Sequence, residues 1–256
     1  MFSLQHFIWI GISVAVIAVS LVLLMRYKPS LKWLLTICCF GCVASELIKL
    51  FSSVMMVPSA DGSLMYPYIR MEHVPFHLCS MQIALIFIAR FGKDSPFKTS
   101  MLAFMYPSCL LGAIAALAMP SIFSDAVPAT NCFAYPLTYQ YFLYHAMLIV
   151  LGAYIYLSGE VDIRPKHYLT SLAWIGTFAF ASLYLNSIFA SPTFENGVLV
   201  SVDYIPNFLF TYRPPIDIKL TELWHWYIYL GILLVLVLGL IALAYIPVFK
   251  KHKKKA

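Results

Sequence analysis

Charge is what this sequence has least of. Only 11% of its 256 residues are Asp, Glu, Lys or Arg, against about 25% in an ordinary soluble domain, while 62% are hydrophobic. That scarcity excludes a water-soluble globular protein and points to an integral membrane protein. The net charge is nonetheless +6. Five lysines crowd into the last seven residues, "KKHKKKA", so the excess reads as a basic tail facing anionic lipid, not as a nucleic-acid surface. A disulfide framework is also missing. Of the six cysteines, Cys38, Cys39, Cys42, Cys79, Cys109 and Cys132, four lie inside apolar runs, where a thiol acts as a small hydrophobe. The Cys39–Cys42 spacing has no second pair to make a metal or redox motif. The first apolar run lacks the basic start of a cleavable signal peptide and is too long for one. Repeats, low-complexity tracts and a soluble domain are absent.

What is abundant is long apolar sequence. A membrane-crossing helix needs about 20 mostly apolar residues, and seven runs qualify: about 7–25, 33–57, 75–90, 99–119, 137–158, 168–190 and 221–247. Arg26, Lys28, Lys32, Arg90, Lys93, Lys98, Arg164, Lys166, Lys250, Lys251, Lys253, Lys254 and Lys255 fall on one side of these runs, and only Arg70, Arg213 and Lys219 on the other. The bias of basic residues toward the cytoplasm then puts the N-terminus outside and the C-terminus inside. The expectation is an all-α polytopic membrane protein: one seven-helix domain over residues 1–256 with a basic cytoplasmic tail at 250–256. It belongs in the cell membrane; in a eukaryote, "KKKA" also fits a dilysine signal for the endoplasmic reticulum. The longest connection, about 191–220, is rich in aromatics and proline and reads as an interfacial cap.

Polar groups inside a membrane are costly and mark candidate sites. With Pro75 opening the third helix, Cys79 lies about 6 Å inside it at 1.5 Å per residue. Pro136 opens the fifth, which puts His145 about 13 Å down. Glu46 and Lys49 on the second helix, Asn186 near the outer end of the sixth, and His225 in the first turn of the seventh also fall in the outer half. The inner half reads as almost wholly apolar, so a cavity should open outward. His77 and Cys79 point about 160° apart, whereas Gln82 is only 60° from Cys79. A nucleophilic Cys79 therefore needs a base from another helix. His145 is the best placed by depth and His225 the second. Glu46 and Lys49, three residues apart, suit an ion pair. His73 and His77 have the i, i+4 spacing of zinc-binding helices, but Pro75 between them disfavours a single helical turn. Neither a metal nor a cofactor is expected.

"HVPFHLCSMQ", "YFLYHAMLIV", "YLNSIF", "IPNFLFTYRPP" and "LWHWYIYLGILL" together resemble the YwaF family of bacterial integral membrane proteins, related to vertebrate transmembrane protein 164. The vertebrate members move fatty acyl chains between phospholipids with a membrane cysteine and histidine. On that resemblance Cys79 matches the nucleophile and His145 its base, with Glu46 or Asn186 as candidates to orient the histidine. The leading expectation is a lipid acyltransferase whose partners are membrane phospholipids. The alternatives are a transporter or receptor using Glu46, Lys49 and His145, or a zinc-dependent lipid hydrolase using His77.

Overall fold

The computed structural model describes residues 3–59, 61–69, 73–74, 76–125, 127–216 and 218–253. Arg70, Pro75, Lys254 and Lys255, which entered the sequence reading, lie outside the described residues. The chain is an all-α polytopic membrane bundle of seven helices: α1 (Leu4–Tyr27), α2 (Leu31–Ser53), α3 (Leu78–Phe91), α4 (Pro96–Ala118), α5 (Pro136–Leu157), α6 (His167–Ile188) and α7 (Leu223–Lys253). Serine hydroxyls close several helix starts. Ser3, Ser30 and Ser95 accept from the backbone N–H of His6, Trp33 and Lys98, which satisfies donors that have no partner inside the helix. Pro96 and Pro136 occupy the first turns of α4 and α5, where a missing N–H costs nothing.

The centre of the bundle is the α4–α5 pair. Met101, Phe104, Met105 and Cys109 of α4 and Phe142, Leu148, Leu151 and Ile155 of α5 are fully buried. Gly152 lets the two helices approach. A Cβ on it would stand 3.0 Å from Cys109 Cβ and 3.0 Å from the Tyr106 carbonyl oxygen. Backbone and a fully buried side chain cannot yield cheaply there, so Gly152→Val is expected to destabilise the bundle by about 1–3 kcal/mol, the usual range for overpacking. Thermal unfolding in detergent measures this, and an unchanged transition would contradict the close approach. α1 and α2 pack on α5, α3 on α2 and α4, and α6 and α7 on α4. The outer helices present exposed apolar side chains, among them Val22 of α1, Phe180 of α6 and Val235 of α7. Surface of that kind is expected against lipid chains and not against water.

Six helices are long and apolar enough to cross a membrane, and α3 is shorter. Its 14 residues reach about 21 Å against a hydrocarbon core of about 30 Å. It begins at Leu78, not at the expected position 75. α2 likewise stops at Ser53 and not near 57, because Val54–Pro58 turns into strand β1, paired antiparallel with β2 (Met65–Ile69). The turn holds Gly62 at φ +69. Asp61 accepts from Ser63 N at 3.1 Å and Ser63 Oγ at 2.7 Å, and with Ser59 these bonds hold its carboxyl down to about 2. A second hairpin joins β3 (Ser191–Glu195) to β4 (Val198–Tyr204) through Asn196 and Gly197, both at positive φ. Two such residues in succession match the right-handed twist of a hairpin. Both hairpins lie at the end of the bundle opposite the short basic connections.

The basic end is not wholly apolar, contrary to expectation. Tyr245 OH lies 2.9 Å from Ser171 Oγ and donates to the Ala103 carbonyl at 3.0 Å. Tyr106 donates to Ala244 O and Tyr154 to Pro29 O, each at 2.5 Å. Tyrosine adds its ring to an apolar run, yet its hydroxyl still requires a buried partner. The short connections are bound in the same way: Leu31 N donates to Glu160 Oε1 at 2.7 Å.

Candidate functional site

Cys79 sits in the first turn of α3, after a helix start at His77 that has no side-chain cap. The thiol faces α4 at Gly112, where an added Cβ would be 3.4 Å from the sulfur. The glycine lets the first turn of α3, Leu78 and Cys79, pack closely on α4. Among the described residues the Cys79 thiol makes no hydrogen bond, to His145 or to any other group.

His145, on α5, is 7% exposed. Its Nδ1 lies 2.6 Å from the Tyr141 carbonyl oxygen. A carbonyl only accepts, so Nδ1 carries the hydrogen and the neutral ring keeps a free lone pair on Nε2. The expected orienting residue is therefore a backbone carbonyl one turn away, and neither Glu46 nor Asn186 fills that place. Tyr141 and Tyr144 fasten α5 on either side of the histidine. Tyr141 OH donates to Ala116 O at 2.9 Å, and Tyr144 OH donates to the carbonyl of Cys79 at 2.8 Å. Tyr144 thus ties the helix of the histidine to the turn of the thiol. Both tyrosines lie inside "YFLYHAMLIV", and their i−4 and i−1 spacing from His145 was the only signal that could have marked them.

The remaining candidates go elsewhere. Gln82 is fully buried and faces α4 instead of a cavity at Cys79: its Nε2 donates to Ser108 Oγ at 2.9 Å, and Cys109 Sγ donates to its Oε1 at 3.3 Å. Glu46 and Lys49 form an ion pair at 2.7 Å, with Lys49 within electrostatic reach of His77. The His77 ring packs edge-on against Phe208 at 5.3 Å. Among the described residues no group of three or more His, Cys, Asp and Glu is arranged to hold a metal.

Asn186 is fully buried and turned away from the thiol. Its side chain accepts from Phe208 N at 2.8 Å and donates to Thr211 Oγ1 at 2.9 Å and Phe208 O at 3.3 Å. It shapes a tight turn in which Leu209 and Phe210 hold φ of 53° and 56°. Trp226 Nε1 donates to Thr211 O at 3.0 Å, and Tyr229 donates to Phe210 O. Phe208 projects from this turn onto Phe76, His77 and Phe189, directly over the start of α3. His225 stays at the start of α7, where its Nδ1 accepts from Glu222 N at 3.3 Å.

The model of the TMEM164 family matches residues 1–245. The chain belongs to the TMEM164 family. No curated protein and no solved structure matches it. The TMEM164-family match spans the first six helices and α7 as far as Tyr245, so α3, α4 and α5 around Cys79 and His145 lie within the matched region. Family membership and six long apolar helices make this a multi-pass membrane protein.

Proposed function

We propose that this TMEM164-family protein transfers fatty acyl chains between membrane phospholipids through a thioester on Cys79, with His145 as base and then acid. The observation that carries the reading is the His145–Tyr141 bond, which leaves Nε2 able to accept a proton in a dry site. In the first half-reaction Nε2 takes the thiol proton and the sulfur attacks a lipid ester carbonyl. The carbon–oxygen bond breaks, and the imidazolium returns the proton to the departing lipid oxygen. In the second, Nε2 takes a proton from the hydroxyl of an acceptor lipid, whose oxygen attacks the thioester; the thiolate leaves and is reprotonated. Because the thiol and imidazole are not hydrogen-bonded here, the pair closes only around a substrate, as often happens in free enzymes.

The charge distribution supports an orientation with the hairpin end outside and the basic end cytoplasmic. The first half-reaction is tested by intact-protein mass spectrometry after incubation with phospholipid vesicles. A mass gain of one acyl group is expected, mapping to the peptide that contains Cys79 and released by hydroxylamine. No adduct at any time point, with lipid products also absent, would sink the reading.

A further inference from the structure

A groove of about 310 Å³ runs between α2 and α3. Val43, Leu47 and Leu50 form one wall, Ile83 and Phe87 the other, and Glu46 is the charged group among them. We infer that this groove seats one acyl chain of a membrane phospholipid, with the ester end of the lipid toward Cys79; the ester's fate rests on the acyl-transfer reading, the groove's occupant does not.

Position along the helices comes first. Ile83 and Phe87 follow Cys79 at i+4 and i+8, so the groove begins one turn below the thiol and descends toward the basic end. Tyr144, whose hydroxyl donates to the Cys79 carbonyl, ties the turn above the groove to α5.

Size and surface come next. The volume is at the low end of the roughly 300–1,000 Å³ found for ligand sites, enough for part of one chain and too small for a whole lipid. Val43, Leu47 and Leu50 are 48%, 47% and 40% exposed on a helix that crosses the bilayer, so the open side of the groove faces lipid. Charge selects the direction of the chain. Glu46 lines the groove, and its ion-pair partner Lys49 stands about one turn nearer the hairpin end, the end at which the glycerol ester and phosphate of a seated lipid would lie. A second groove, about 520 Å³ between α6 and α7, is lined by Phe180, Tyr184, Tyr212 and Trp226 among others, with no charged side chain in its lining.

The experiment uses the full chain in phosphatidylcholine vesicles doped with a phosphatidylcholine that carries a diazirine midway along one acyl chain. After irradiation, labelled peptides are quantified. Label on residues 42–50 and 83–87 is expected to exceed that on the lipid-facing stretches of α1 and α7 several-fold. Leu47→Trp, which fills the groove, should abolish the excess while α1 and α7 label as before; Ile83→Trp does the same from the opposite wall and guards against one variant misfolding. Even labelling over all lipid-facing helices, or an excess at the α6–α7 groove, overturns the assignment. Groove labelling without an acyl adduct on Cys79 keeps the assignment and removes the acyl-transfer reading; an adduct without groove labelling does the reverse.

Discussion

Cys79→Ala is expected to abolish both the acyl adduct and the lipid product, whereas His145→Asn is expected to slow adduct formation by roughly 10²–10⁴-fold. Alanine removes the sulfur that would carry the acyl group, and the other described thiols are poorly placed to substitute. Cys38, Cys39, Cys109 and Cys132 are buried, Cys109 is held by Gln82, and Cys42, although it borders the α2–α3 groove, has no exposed surface. Asparagine at 145 is chosen over alanine for a geometric reason. Its Nδ2 stands near the position of the imidazole Nδ1 and can keep the donation to Tyr141 O, while no group remains where Nε2 could take a proton. The variant therefore separates loss of a base from loss of a structural bond. Cys109→Ala serves as the control and should leave the adduct on Cys79 unchanged. The measurement is the rate of mass gain in the intact protein. Adduct formation that survives Cys79→Ala would remove the thioester mechanism altogether.

Asn186→Leu is expected to produce the largest loss of stability among single side-chain changes at the hairpin end. Leucine is of similar size, so the effect is one of polarity and not of a cavity. The Phe208 N–H loses its acceptor, the Asn186 side-chain oxygen, and a buried donor left alone costs about 1–3 kcal/mol. The turn it held is intrinsically unfavourable, because Leu209 and Phe210 both occupy the left-handed region at about 1–2 kcal/mol each. Once the clamp is gone, that strain has no counterweight. A fall of several degrees in the unfolding midpoint is expected, at about 2–4 °C per kcal/mol for a chain of this size, together with faster protease cleavage in residues 205–213. An unchanged midpoint with an intact cap would show that Trp226 and Tyr229 hold the turn by themselves.

Much of the architecture was legible because lipid allows so few solutions. Long apolar runs have to be helices when no water is present to satisfy the backbone, and all seven runs became helices. Their ends were less legible. "VMMVP" at 54–58 continues the apolar run of α2, and only its β-branched valines and Pro58 hint that the helix has ended. The pairs Asp61–Gly62 and Asn196–Gly197 are recognised hairpin turns, but hydrophobicity outweighed them in the reading. The site was half legible. Helical rise could bring Cys79 and His145 into the same half of the bundle, yet the partner of His145 is a backbone carbonyl, which every residue possesses and no residue type announces. Gln82 shares the face of Cys79 on a helical projection, but whether it meets a cavity or Ser108 depends on the register of α3 against α4, which local pattern does not fix. By depth alone Asn186 is a candidate to orient a histidine; its partners in the fold lie more than twenty residues downstream, in a turn whose shape the sequence does not spell out.

The clamp around Asn186 also determines how the region above the thiol can move. Phe208 covers the start of α3, and a loose flap could swing aside within nanoseconds. This turn has no such freedom. Asn186 fixes it to α6, and Trp226 and Tyr229 fix it to α7. Lifting Phe208 therefore means tilting α6 and α7 with the cap carried along as one rigid body, a collective motion that belongs to microseconds or longer. The rate at which Phe208 uncovers the start of α3 is therefore expected to follow whatever stiffens or loosens the contact of α6 and α7 with α4, far from the loop itself.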